Sequence, residues 1–157
     1  MKSKLAWLLA LYIAFVFIQS LFFKFSGSEE TKIIFNTIGD WMANIDLLAP
    51  IATDFKKYGG ISTGIAELIA SLLILYPTTR YLGSLLSLFI ISGAIFFHLA
   101  TPLGINRIIN TAGDTDGGTL FIMACGVFLS CIILLFIKTR KPRNLFDISK
   151  PIPFRMK

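Results

Sequence analysis

One histidine and two cysteines are all the imidazole and thiol that this 157-residue chain contains. A lone imidazole cannot supply both axial ligands of a bis-histidine haem, and no C-x-x-C pair supports thiol–disulfide exchange. A glycine-rich phosphate loop and a serine-elbow motif are missing as well. On its own, then, the chain offers no electron carrier and no ligand set for a metal. Cys125 and Cys131 fall six residues apart in one apolar run. On a helix that spacing is about 9 Å along the axis and on different faces, too far for a disulfide. Both read as apolar fillers.

Charge is the second shortage. Only 15% of the residues are charged against 55% hydrophobic, an imbalance beyond that of ordinary soluble domains. Residues 5–23, 61–76, 81–100 and 119–137 hold no Lys, Arg or Asp and a single Glu. Crossing a hydrocarbon core of about 30 Å takes roughly 20 helical residues, a length that the second stretch reaches once extended to 58–76. None of these stretches carries the polar stripe of a soluble bundle helix. The expected fold is all-α: an integral membrane four-helix bundle over 1–137, spans at about 5–23, 58–76, 81–100 and 119–137, then a basic tail, 138–157. The first run is longer than a secretory signal core and ends on Phe22-Phe23-Lys24-Phe25, not on a small-residue cleavage site. It is expected to stay as a helix.

The basic residues set the expected orientation. Ten of the 15 Lys and Arg lie on the two ends and the 77–80 turn, and five on the other two connections. Basic residues near span ends stay in the cytoplasm, which places both termini there. Trp7, Tyr76 and Tyr81 fall near that same boundary, as interfacial aromatics do. The tail either holds anionic lipid or serves only to orient the chain. Nothing points to a nucleic-acid partner; the bilayer is the expected surroundings.

Pro77-Thr78-Thr79-Arg80 is too short for anything but a helical hairpin, making the second and third spans neighbours. The connection 24–60 is too long to be structureless. Ser28 can cap a helix with Glu29 and Glu30 in its first turn. Ile34, Ile38, Trp41, Ile45 and Leu48 then form one apolar stripe, and Pro50 marks its end. The predicted element is an amphipathic helix on the outer membrane surface or capping the bundle. Gly60 and Gly64, Ala66 and Ala70, and Gly83 and Ser87 are small-residue pairs suited to close helix approach.

Glu67 is the one acid within a span, about 13 Å up the helix from Tyr76 and so near the midplane. Charged residues at that depth are destabilising enough to mark function or a specific bond. At helical rise, Ser92 and Gln19 lie somewhat further out, and His98, Lys24, Asp114 and Asp116 near the outer edge. No counterpart set is evident in the inner half, so a pocket or polar track opening outward is expected. The bland alternatives are structural: Glu67 as interhelical glue, His98 as an interfacial ring, Lys24 snorkelling, Asp116 capping the last helix.

Three motifs carry a family resemblance. Phe22-Phe23-Lys24-Phe25-Ser26-Gly27 resembles the Lys-Phe-Thr-Gly close of the first helix in the DoxX-like membrane proteins. Gly64-Ile65-Ala66-Glu67-Leu68, running on to Leu72-Leu73-Ile74-Leu75-Tyr76-Pro77, is similar to that family's second helix. Tyr81-Leu82-Gly83 and Gly93-Ala94-Ile95 with His98-Leu99 resemble its third. The resemblance implies a four-helix bundle in the bacterial cytoplasmic (inner) membrane and a link to redox homeostasis. One subunit of the family resembles part of a thiosulfate:quinone oxidoreductase; similar eukaryotic proteins act as assembly chaperones. Lys24, Glu67 and His98 match its recurrent polar positions.

Taken together, these readings lead to an expected quinone- or small-lipophile-binding subunit supporting a redox partner protein. Glu67 and His98 are the candidate catalytic groups, and Lys24, Gln19 and Ser92 the candidate ligand-binding ones. Lys24 or His98 would donate to a quinone carbonyl and Glu67 relay its proton. The competing expectation is a non-enzymatic membrane scaffold or assembly chaperone, alone or as a homo-oligomer.

Overall fold

The computed structural model describes residues 2–137, and the basic tail at 138–157 lies outside them. The described residues form five helices: α1 (Lys2–Phe25), α2 (Glu29–Ala43), α3 (Ala49–Leu75), α4 (Arg80–Ala100) and α5 (Thr119–Phe136). All but α2 are long and apolar enough to cross a membrane. α1 packs on α3, α3 on α4, α4 on α5, and α5 closes back on α1. Neighbouring spans run antiparallel. At one end Lys24 of α1 meets Glu67 of α3, and at the other the Arg80 guanidinium lies 4.3 Å over the Trp7 ring.

The outside of this bundle is apolar and much of its polarity lies inside. Phe89 is 80% exposed and Phe22 74%, while Glu67, Arg80, His98 and Arg107 are buried. A bundle stabilised by the hydrophobic effect in water would show the opposite distribution. The core along the bundle axis is Ala10, Ile13, Phe17, Ala70, Ile74, Val127 and Cys131.

Ser28 caps α2 as expected, accepting from the Thr31 amide at 3.2 Å, with Glu29 and Glu30 in the first turn. Two features of the long connection differ from expectation. α2 stops at Ala43, and Pro50 opens α3 rather than ending α2. A proline in the first turn removes an amide that has no intrahelical partner there. α3 consequently starts at Ala49, not near 58, and runs unbroken through Gly59 and Gly60. Those glycines admit α2: a Cβ at Gly59 would fall 2.5 Å from the Phe35 ring. The apolar stripe of α2 lies against this extension of α3 and against Phe97 and Leu103, so that Ile38 and Met42 are buried. The helix caps the bundle.

At the opposite end the 77–80 turn forms the expected hairpin. Gly83 lets the two backbones touch, since a Cβ there would overlap Ile74 and Leu73 main-chain atoms. The expectation of no polar set in this half is corrected. Ser71, Ser84 and Ser130 are buried here, each returning its hydroxyl to a carbonyl four residues back in its own helix, together with buried Arg80. Arg80 donates from Nε to the Ile74 carbonyl at 3.0 Å. The serines satisfy themselves locally, as hydroxyls in apolar helices do, and serve as small packing residues.

Candidate functional site

The polar side chains at the α2 end surround one cavity of about 270 Å³. α1 supplies Ser20 and Lys24 from successive turns, the i, i+4 spacing that puts two side chains on one face. α3 crosses behind them with Glu67, 7% exposed. Its carboxylate accepts from Lys24 Nζ at 2.5 Å and from Ser20 Oγ at 2.6 Å, and Lys24 also reaches Ser20 Oγ at 3.3 Å. Two donors on Glu67 and two acceptors for Lys24 answer the penalty, about 2.5–3.5 kcal/mol, for a charge within a span.

α4 contributes His98 from its last turn. The ring is buried, edge-on to Phe121, with Nδ1 2.6 Å from the Gly104 carbonyl. Gly104 turns the chain back beneath the ring at φ +69°, a conformation that side chains disfavour. His98 is therefore an interior group oriented by the loop that follows it.

Arg107 closes the cavity from that loop. Only 2% exposed, it pairs through Nη2 with Glu30 of α2, and its Nε lies 3.3 Å from Asp116. Asp116 accepts from the Gly118 and Leu120 amides at 2.9 and 3.2 Å, and so holds the first turn of α5 from two residues before the cap position, which Gly118 and not Asp116 occupies. Glu29 accepts from the Thr111 amide at 2.8 Å. The start of α2 is thus tied to the α4–α5 connection, and Arg107 is the buried knot.

Five ionisable groups line the cavity besides His98: Lys24 and Arg107 against Glu30, Glu67 and Asp116. Apolar side chains such as Phe17, Ile91, Ala94 and Met123 form the rest of the wall. Gln19 and Phe23 on α1, and Thr119 and Met123 on α5, line the cavity while retaining surface exposure. At these two pairs the cavity lining reaches the side of the bundle.

Lys24, Glu67, His98 and Gln19 are therefore brought together as the sequence suggested, Gln19 at the rim. Ser92 is not. It is exposed, bonds the Leu88 carbonyl at 2.7 Å and lines a shallow apolar groove between α4 and α5. A helix turns about 100° per residue, so with Ile91 facing inward its neighbour faces out. Asp114 also stays outside, exposed and bonded to Asn110. Ser20, Glu30 and Arg107 were missed as site residues. The Ser20–Lys24 spacing could have signalled the first. Nothing local signals an Arg107–Glu30 pair whose members are 77 positions apart. No family model, curated protein or solved structure matches the chain, so the functional reading rests on this cavity.

Proposed function

We propose that the chain is a multi-pass membrane protein of the DoxX-like kind whose cavity binds a small lipophilic molecule, a quinone being the leading class, in support of a redox partner. A single observation carries this reading: a cavity of about 270 Å³ with a largely apolar wall and buried polar groups inside. Ligand sites are concave, mostly apolar and furnished with a few oriented polar groups. In a bilayer the α1 and α5 residues that line the cavity and keep outer exposure would face lipid, the phase in which such a ligand dissolves. Lys24 and Ser20 orient Glu67, which can take or return a proton at the ligand's head. Electrons would come from the partner.

A scaffold role draws less support. Gly60 and Gly64, the pair suited to docking another helix, already receive Thr31 and Phe25 of this chain. The test is extraction of the protein in mild detergent and chemical identification of any co-purified quinone, followed by titration with a short-tailed quinone. Saturable binding weakened by Glu67→Gln supports the proposal. No co-purified lipophile and no binding would remove it.

A further inference from the structure

The hydrogen-bonding capacity left over after the protein's own contacts decides what head group the cavity can hold. A carbonyl only accepts, so the contact between His98 Nδ1 and the Gly104 oxygen places the ring proton on Nδ1. In the neutral ring Nε2 is then a bare acceptor. It has no hydrogen-bond partner among the described residues, and His98 lines the cavity. An acceptor left without a donor in a largely apolar cavity is destabilising until something bonds it.

Charge narrows the choice further. Two cations, Lys24 and Arg107, face three carboxylates, of Glu30, Glu67 and Asp116. An anionic head would add to the side already in excess, whereas a neutral head disturbs nothing. Such a head must donate to His98. A hydroxyl can; a carbonyl or an ether only accepts.

Building on the lipophile-site reading above, we infer that the cavity selects a lipophilic molecule bearing a neutral hydroxyl, a phenol or the quinol form of a quinone, over a carbonyl or ether of the same shape. Sites built to bond a ligand hydroxyl reject analogues without it because their own polar groups are left unpaired. For a quinone–quinol couple the reduced form is the tighter ligand.

The test uses 4-hexylphenol and its methyl ether, 4-hexylanisole, which share ring, tail and an accepting oxygen and differ in the O–H. Both are titrated calorimetrically into the full-length protein in detergent, corrected for micelle partition. The phenol should bind about tenfold more tightly, the worth of one net hydrogen bond, and His98→Phe should bring the two together. Equal affinities in the unaltered protein overturn the hydroxyl preference and leave the lipophile site standing; binding of neither overturns both. A preference that survives in His98→Phe overturns His98 as the acceptor. A second readout needs no variant. His98 is the only histidine in the sequence, so ¹⁵N-histidine labelling of untagged protein reports Nε2 directly. Its resonance should move with the phenol and not with the ether; no movement with bound phenol overturns the inference.

Discussion

Lys24 and Glu67 stand 43 positions apart in sequence and meet at 2.5 Å inside the bundle, with Ser20 Oγ 2.6 Å from the same carboxylate. Their side chains are 17% and 9% exposed. Either charge without the other would be stranded in an apolar interior. Lys24→Met is therefore expected to lower stability by about 3–5 kcal/mol, and combining it with Glu67→Leu to recover most of that loss. Unfolding in detergent across the single and double variants measures the coupling. Losses that simply add would show that the pair is not coupled.

Arg107 ties α2 to the α4–α5 connection, so its loss should loosen the start of α2 first. Arg107→Met is expected to speed hydrogen exchange at the Thr31 and Lys32 amides by about tenfold or more, the effect of losing a buried charge-assisted bond. The Lys56–Asp40 pair is a control, its side chains 32% and 70% exposed. Asp40→Asn should change stability by no more than about 0.5 kcal/mol. Protection of the α2 start unchanged in Arg107→Met would refute the role given to Arg107.

Two glycines on α4 should respond oppositely to the same methyl group. At Gly83 a Cβ meets the α3 backbone, while at Gly93 nothing lies within 4 Å. Gly83→Ala must part the hairpin and should cost about 1–3 kcal/mol, as overpacking does. Gly93→Ala should be neutral or gain up to about 1 kcal/mol in helix propensity. Thermal midpoints of the two variants decide, and similar values would argue against the close α3–α4 crossing.

Serine replacements separate the cavity from the outer surface of the bundle. Ser20→Ala removes a donor to Glu67 and should weaken binding of a short-tailed quinone or phenol by roughly tenfold. Ser92→Ala should leave it unchanged, because Ser92 lies outside the cavity. Equal effects from the two would place the ligand elsewhere.

Orientation is expected to follow the basic residues, ten of which lie on the ends and the 77–80 turn. A reporter fused after Lys157 should be active only in the cytoplasm, and one inserted at Gly113 only outside. A C-terminal reporter active outside would reverse the membrane sides assigned to the cavity.

The sequence by itself determined the four apolar helices, the α3–α4 hairpin and the Ser28 start of α2. Each follows from local chemistry: run length, a turn too short for anything else, a hydroxyl placed to cap. Glu67 was legible too, because a lone acid in an apolar run stands out wherever its partner lies. The fate of Pro50 was not, since proline both follows helices and opens them. Here the surface offered by Gly59 and Gly60 to α2 accompanies a continuous α3. Tertiary structure alone decided which polar groups share the cavity. Ser20 turns toward Glu67 and Ser92 turns away, although both are serines within spans, because each helix's rotation is set by packing along its whole length. The burial of Arg107 depended on carboxylates from α2 and from the turn before α5 converging on one guanidinium. Contacts so distant in sequence leave no periodicity for a single chain to show.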